Sequence, residues 1–348
     1  MFGLPLLPRN LEASFRDLES KKAEVRASAI ADVVRHARSG DDVRARALPL
    51  LERALADEAP MVRRAACVAL GDLDAVSVLP KLLVAMEDPD DVTRQMAINA
   101  VGELKDAQAL PRLRRALEDA RPDVRYQTVI AFTRVCSDGE ECDDVLTRAL
   151  GDADDAVAHI ALRVAEERAD EGHAPSAALV AKAATLLDAT HVSVRLAAAI
   201  LLCKVGDARG RDLVARAVRG TLLGAEKEDE AAAVELAGEL GLAELRPHLE
   251  RRAWGLRRLF ADTCAFSARI ALARLGDARA RSAIVADLDA VKPELRAAAV
   301  VAVGRAHIEE ARDLVSKMTA ASVDPALVQE ALARMDKSHA AEKKGQAT

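Results

Sequence analysis

The sequence repeats a short pattern at an interval of 31 residues. Three times in succession an aspartate is followed six residues later by an arginine, and the pairs are Asp57/Arg63, Asp88/Arg94 and Asp119/Arg125. A fixed period of this length is typical of arrays in which similar units stack side by side. The chain is therefore expected to grow by adding units to an array, because each unit packs only on its neighbours.

Composition indicates that each unit is helical. Apolar residues make up 51% of the chain but aromatic residues only 2%, so Ala, Leu and Val must fill the core. Ala and Leu are strong helix formers. Gly and Pro stand mostly between the periodic segments, and Pro89 breaks the helix before it. Each unit is predicted to contain a helix A, a turn that begins at Asp and caps the next helix, and a helix B that carries the Arg.

Further positions repeat when they are counted from the arginine of helix B. A small residue stands three positions on, a larger apolar residue seven positions on, and a glycine eight positions on in several units; in the second unit these are Ala66, Leu70 and Gly71. The small and the large apolar residue lie on one face of a helix. That face is expected to pack against helix A and the neighbouring unit.

The turn Asp, the helix-B Arg, the Ala three residues on and the apolar-Gly-acidic ending together resemble the HEAT repeat. The resemblance covers roughly residues 15–335 and is most specific over 57–135. The short unit is similar to the HEAT-like repeats of phycobilin lyases. This resemblance implies an all-α fold, an α-solenoid in which about ten helical hairpins form one continuous, right-handed, armadillo-like superhelix.

In the family, the turn Asp and the helix-B Arg form a structural ladder between adjacent repeats. That role transfers to the three pairs named above. It transfers less securely to Asp188/Arg195 and Asp289/Arg296, where the spacing is seven residues. A break is expected at Asp152, because Ala158 stands where the arginine should be.

The chain is expected to have three parts. Residues 1–20 form an N-terminal cap, residues 21–336 form the repeat array, and residues 337–348 form a disordered tail that is polar and lacks periodicity. The pattern is irregular at 136–151, which contains an acidic link, and at 219–266.

The compartment follows from charge, cysteine content and hydropathy. The net charge is −6 with acidic and basic residues interleaved, and the five cysteines are an odd number. The N-terminal segment has no basic region followed by a long apolar core, and no stretch approaches the roughly 18 apolar residues that span a bilayer. We expect a cytoplasmic protein without membrane contact.

Motifs for catalysis or metal binding are missing from the sequence. None of the seven histidines is followed by Glu, which excludes the His-Glu di-iron site of one HEAT-repeat enzyme family. Cys136 and Cys142 have no second cysteine pair, and the acidic link lacks the oxygen-ligand spacing of a calcium loop. We therefore expect no enzyme activity, no metal and no cofactor.

Protein binding requires the fewest further assumptions. Helix B typically lines the inner curve of such arrays, and residues one and five positions after the reference arginine should point toward a partner. The predicted partner-binding residues are Arg64, Gln95, Asn99, Tyr126, His159 and Arg163. Tyr126 is the predicted centre of the contact, since tyrosine is enriched in binding hot spots. The predicted function is that of a non-catalytic scaffold or adaptor that binds another protein.

Two alternatives remain open. A basic segment around Trp254 could contact nucleic-acid phosphates, and its residues are Arg251, Arg252, Arg257 and Arg258. A bilin-lyase-like or other enzyme-associated role has the repeat length as its only support.

Overall fold

The structure, a computed structural model, describes residues 10–38, 40–255, 264–320 and 322–345, with side chains as far as residue 336. The described residues form α-helices and short 3-10 helices, and contain no β-strand. Helical hairpins stack one after another, so the predicted all-α solenoid fold is confirmed.

The chain divides into two compact units, Met1–Lys182 and Ala183–Thr348. Stacked repeats contact mainly their neighbours, so an array predicted to be continuous can divide in this way without a change of fold. In the first unit, the described helices are α1 (Leu11–Asp17), α2 (Ala23–Ala37), α3 (Asp41–Ala54), α4 (Pro60–Asp72), α5 (Leu79–Ala85), α6 (Asp91–Leu104), α7 (Leu110–Ala116), α8 (Pro122–Val135), α9 (Gly139–Ala149) and α10 (Asp155–Asp170).

Helix α11 (Ala177–Thr185) crosses the division between the units. The second unit continues with α12 (Val192–Lys204), α13 (Arg211–Arg219), α14 (Lys227–Glu239), α15 (Arg246–Trp254), α16 (Ala265–Arg274), α17 (Ala278–Ala286), α18 (Pro293–Ala306), α19 (Arg312–Ser316) and α20 (Pro325–Gly345). Odd-numbered helices occupy position A of a hairpin and even-numbered helices position B.

The turn aspartate shapes the turn instead of capping helix B. The Asp88 carboxylate accepts the backbone N–H of Asp90 at 2.9 Å, which closes the turn locally. Asp90 is the N-cap of α6, and its side chain accepts the backbone N–H of Thr93 at 2.7 Å. The predicted cap is therefore displaced by two residues.

Consecutive B helices pack closely at the repeated glycine. A Cβ added to Gly102 on α6 would lie 3.0 Å from the Ala131 Cα on α8. In the second unit, a Cβ on Gly238 of α14 would lie only 2.5 Å from the Ala271 Cα on α16. The glycine column is thus explained by close approach of the backbones. The predicted core columns are buried as well, as Ala66 and Leu70 show.

The segment 136–151, predicted to be irregular, is an ordinary helix A. Asp138 caps α9 by accepting the backbone N–H groups of Glu140 and Glu141, so the acidic link is the start of a helix and not a loop. Acidic residues favour a helix N-terminus because of the helix dipole. Cys142 and Asp143 on this helix are buried.

The segment 219–266 also contains helices at the usual positions. Gly220 ends α13 in the left-handed conformation, and α14 and α15 follow as helix B and the next helix A. Residues 256–263 of this segment lie outside the described residues. The blurred sequence columns therefore accompany ordinary hairpins in the part that is described.

The two ends differ from the prediction in detail. Helix α1 packs on α2 as the first helix A, while residues 1–9 of the predicted cap lie outside the described residues. Helix α20 continues to Gly345, so most of the predicted disordered tail 337–348 is helical; its Ala, Glu and Lys residues have high helix propensity. Among the described residues, every helix is too short or too polar to cross a bilayer.

Candidate functional site

The Asp–Arg ladder links each repeat of the first unit to the next. Arg63 on α4 donates two hydrogen bonds to the Asp88 carboxylate, both at 2.7 Å. It also donates to the backbone carbonyl of Asp57 in its own turn at 2.9 Å. One guanidinium thus ties two turns together with a bidentate, charge-assisted contact.

The same contact continues along the unit. Arg94 binds Asp119 at 2.9 and 3.1 Å, and Arg125 binds Asp152 at 2.8 and 2.6 Å. Asp152 is therefore part of the ladder, contrary to the predicted break. Each arginine pairs with the aspartate of the following repeat, so Ala158 removes only the rung that would come next.

The sequence interpretation missed the first rung. Arg26 on α2 binds the Asp57 carboxylate at 2.7 and 2.8 Å and donates to the Ser20 carbonyl at 2.9 Å. Ser20 occupies the place of the turn aspartate, which hid this repeat from the Asp–Arg pattern. The distance of six residues from Ser20 to Arg26, the same as from each turn aspartate to its arginine, is the signal that reveals it.

Pairing keeps the ladder ionised although its side chains are largely buried. The Arg125 and Asp152 side chains are only 18% and 14% exposed. The hydrogen bond from Arg125 lowers the pKa of Asp152 against the opposing effect of burial, and the same pair raises the pKa of Arg125. At Asp57, burial raises the pKa, but the bonds from Arg26 and a backbone N–H outweigh it and lower the value. These side chains are committed to the fold.

The ladder changes its chemistry in the second unit. Arg195 donates to the backbone carbonyls of Ala189 and Thr190, and Arg296 donates to those of Ala290 and Val291. Arg296 also reaches the Ser322 carbonyl at 3.2 Å, where the first unit offers a carboxylate. The residue at the turn position of the following repeat explains the difference at Arg296, because that residue is Ser322 and not an aspartate.

Clefts open beside the ladder between successive hairpins. One of about 570 Å³ is lined by Arg94, Arg112 and Arg115 together with acidic residues, and one of about 560 Å³ surrounds Arg26 and Asp57. Glu87 binds both Arg112 and Arg115 in the first cleft. The charged side chains that line these clefts pair with one another. They therefore stabilise the contact between hairpins and are less available to bind a ligand.

A second surface of the first unit has different chemistry. On helices α4, α6, α8 and α10, the side that faces away from helix A presents a continuous set of exposed and half-buried side chains, which we call the outer stripe. Its members are Met61, Arg64, Ala65, Val68, Val92, Gln95, Met96, Asn99, Asp123, Tyr126, Gln127, Ile130, Ala156, His159, Ile160 and Arg163. Only Arg64, Asp123 and Arg163 of this set are charged.

All six predicted partner-binding residues lie on the outer stripe, but two serve the fold. Arg64 donates from Nε to the Asp90 carboxylate at 2.8 Å, and Arg163 binds Glu166 at 2.5 Å. Their charges are thus neutralised within the chain, and a partner would meet paired groups.

The uncharged members form the accessible centre of the stripe. Asn99 accepts a hydrogen bond from Gln127 on the next repeat at 3.1 Å, which holds both amides in register. Gln95, Tyr126 and His159 are half-buried, so each exposes part of its side chain. The predicted role of Tyr126 in binding requires an accessible side chain, and Tyr126 is not buried.

Several apolar members of the stripe were missed in the sequence. Met61 and Val68 on α4 are 40% and 41% exposed. Met96 and Ile130 are half-buried on the neighbouring helices. They occupy positions two before, two after and five after the reference arginine, and these columns could have revealed them.

The predicted nucleic-acid segment is only partly described. Arg252 is 12% exposed; it donates to the Ala217 and Val218 carbonyls at the end of α13 and binds Glu230. Its guanidinium is therefore poorly placed to bind a nucleic-acid phosphate. Arg251 is exposed, Trp254 packs under Arg279 at 4.2 Å, and Arg257 and Arg258 lie outside the described residues.

Comparison with known proteins supports the repeat assignment. A family model described as HEAT repeats matches residues 16–91 and 79–166. No curated protein matches the chain. The X-ray structure of YibA from Escherichia coli is 19% identical with a TM-score of 0.53, over 77% of this chain and 93% of that chain. At this identity the likeness shows the fold alone.

Two other solved structures superpose more loosely. The complex of CpcE and CpcF of phycocyanin lyase from Nostoc sp. PCC7120 is 18% identical, with 79% of this chain and 98% of that chain covered and a TM-score of 0.45. An engineered protein is 17% identical, with 94% and 98% covered and a TM-score of 0.40. Residues 16–166 therefore contain HEAT repeats, and the stacked hairpins of the described residues have an α-solenoid fold.

Proposed function

We propose that this protein is a non-catalytic scaffold or adaptor whose first unit binds another protein through the outer stripe. The observation that carries the proposal is the chemistry of that stripe. Its centre is built from exposed and half-buried Tyr, Met, Ile, Val, Gln and Asn side chains. The cores of protein interfaces are depleted in charged residues and enriched in aromatic residues and Met.

The rigidity of the outer stripe supports the proposed binding function as well as its composition does. The ladder fixes each B helix to the next, and the amide pair Asn99–Gln127 joins α6 to α8 on the stripe itself. A surface held in place before binding loses less conformational freedom when the partner docks. Affinity would then be distributed over several repeats, as in other solenoid proteins.

The test is affinity purification of the wild-type chain and of Tyr126→Ala from extracts of the host cell, quantified by mass spectrometry. Tyr126 is half-buried on the surface of α8, so its truncation should leave the fold intact. We expect a defined set of proteins to fall at least tenfold in recovery, since hot-spot truncations cost about 2 kcal/mol or more.

A matched control is Gln108→Ala, since Gln108 is exposed beside α7 on the helix-A side of the unit. It should recover the same proteins as the wild type. If Tyr126→Ala recovers them as well as Gln108→Ala does, and circular dichroism shows that both variants are folded, the stripe is not the binding surface.

A further inference from the structure

We infer that the outer stripe binds a basic amphipathic segment, that is, a peptide or helix with an apolar and amide-compatible spine and Lys or Arg along its margins. This inference rests on the proposed function and specifies the partner's chemistry. It is carried by the charges at the margins of the stripe, which differ from its uncharged centre.

The margin at the N-terminal ends of the B helices is acidic. Asp123 on α8 has a side chain that is 64% exposed, and Asp155 opens α10 as a further exposed carboxylate. The basic group at this margin, Arg121, is already paired with Asp91 at 3.0 Å. It lies 3.8 Å from Asp123, so Asp123 receives only a weak share of that charge.

The opposite margin, at the C-terminal ends of the same helices, is acidic too. Arg134 on α8 is paired with Glu103 on α6 at 2.5 Å, which cancels both charges. Glu167 on α10 is exposed, and Asp170 and Glu171 follow it at the end of the helix. Lys105 and Arg168 are the other basic residues at these helix ends, and the acidic residues outnumber them, so negative charge is in surplus on both sides of the stripe.

Complementary charge selects the partner. A negative margin attracts Lys and Arg side chains and repels carboxylates, and like-charge contacts across an interface disfavour wrong partners. The apolar positions Met61, Val68 and Ile130 would meet an apolar spine, while the Asn99–Gln127 amides would meet polar or backbone groups. A basic amphipathic segment satisfies both requirements at once.

The experiment titrates the full chain with three fluorescent synthetic peptides that share one apolar spine and carry Lys/Arg, Gln or Glu at the margin positions. Anisotropy is measured at low and at high salt. We expect the basic peptide to bind at least tenfold more tightly than the Gln peptide at low salt and to lose most of this advantage at about 1 M salt, where charges are screened within about 3 Å. Tyr126→Ala should weaken it at least tenfold.

Matched charge variants locate the effect. The combined variant Asp123→Asn, Asp155→Asn and Glu167→Gln removes three margin carboxylates and should weaken the basic peptide about tenfold at low salt. The control Glu118→Gln, Glu140→Gln and Asp144→Asn makes the same change in net charge in the turn after α7 and on α9, away from the stripe, and should leave binding unchanged.

The outcomes separate this inference from the proposed function. Equal binding of the basic and Gln peptides, or equal weakening by both triple variants, would overturn the inference. If proteins captured through Tyr126 bind without dependence on salt or margin charge, the proposed function holds and the inference fails. If Tyr126→Ala changes neither peptide binding nor protein capture, both fail.

Discussion

The B helices of the two units differ in what they present away from helix A. In the first unit the outer stripe exposes large uncharged side chains such as Met61 and Tyr126. In the second unit, the corresponding positions of α14 and α18 carry mainly Ala and Glu, and Ser267 and Ile270 on α16 are buried. One fold therefore presents large uncharged side chains on this face in one unit and mainly small or acidic side chains in the other.

An ion pair in the second unit connects two B helices that are not adjacent. Arg305 on α18 reaches the Glu235 carboxylate on α14 at 3.2 Å, across the intervening helix α16. Ser267 on α16 donates to the same carboxylate at 2.8 Å. In the first unit, the ion pair between Arg134 on α8 and Glu103 on α6 joins adjacent B helices at the margin of the stripe and crosses no intervening helix.

The comparison predicts that close helix contacts stabilise both units more than ion pairs do. Gly238→Ala should have the largest effect, a loss of about 3 kcal/mol, because the new Cβ would lie 2.5 Å from the Ala271 backbone. Urea unfolding measures the loss. Gly139→Ala, with nothing within 4 Å of the added Cβ, should be almost neutral. A neutral Gly238→Ala would show that the B helices are not in close contact.

Removing a ladder arginine should distinguish the two units. Arg125→Met leaves the largely buried Asp152 carboxylate without its cation, and should cost about 2 kcal/mol. Arg296→Met removes hydrogen bonds to backbone carbonyls only, and should cost about 1 kcal/mol. Amide hydrogen exchange in α8 and α18 reports each effect separately. Equal losses would mean that the carboxylates add nothing to the ladder.

Acid should weaken the first unit more than the second at the ladder. The pKa values of Asp57 and Asp152 are lowered on folding from a reference of 3.8. Their contribution is fully present above that pH and is lost as the pH falls through the lowered values. Hydrogen exchange near pH 3 should show α4 and α8 opening before α18, and Arg125→Met should reduce this sensitivity. Uniform acid sensitivity would argue against the difference.

The smallest effect is expected for the ion pair between Glu235 and Arg305 in the second unit. Glu235→Gln keeps the shape of the side chain and removes the charge that holds Arg305, which is 40% exposed. Such pairs contribute about 0.5 kcal/mol, so the melting temperature should barely change. Exchange on α16 should nevertheless increase. A loss as large as that of Arg125→Met would show that this pair is part of the core.

The repeat period predicted the helices and the ladder because a hairpin's contacts depend on nearby positions. Asp57, Arg63 and Gly102 each recur at fixed places, so their roles could be inferred from spacing. Contacts within the chain that do not recur from repeat to repeat could not be inferred in this way. Arg64 binds Asp90, and Arg252 binds the end of α13, because of geometry that only the folded chain fixes.

Only part of the outer stripe could be predicted, because spacing locates a residue on a helix but does not give the exposure of its side chain. Counting from the arginine located Tyr126 and Asn99, but exposure at Met61 and Val68 depends on how far adjacent B helices separate. The buried acidic residue Asp143 is a further example, since its carboxylate accepts the Ser176 N–H of a helix start that lies 33 residues away.

Photo-crosslinking tests the central claim most directly. A benzoylphenylalanine group is introduced in place of Tyr126 or Ile130 on the outer stripe, and in place of Ala297 in the second unit or Gln108 on the helix-A side. If the first unit binds protein through the stripe, irradiation in host-cell extract will attach one set of proteins at the first two positions and not at the others. Equal crosslinking at all four positions, or crosslinks confined to Ala297 and Gln108, would contradict it.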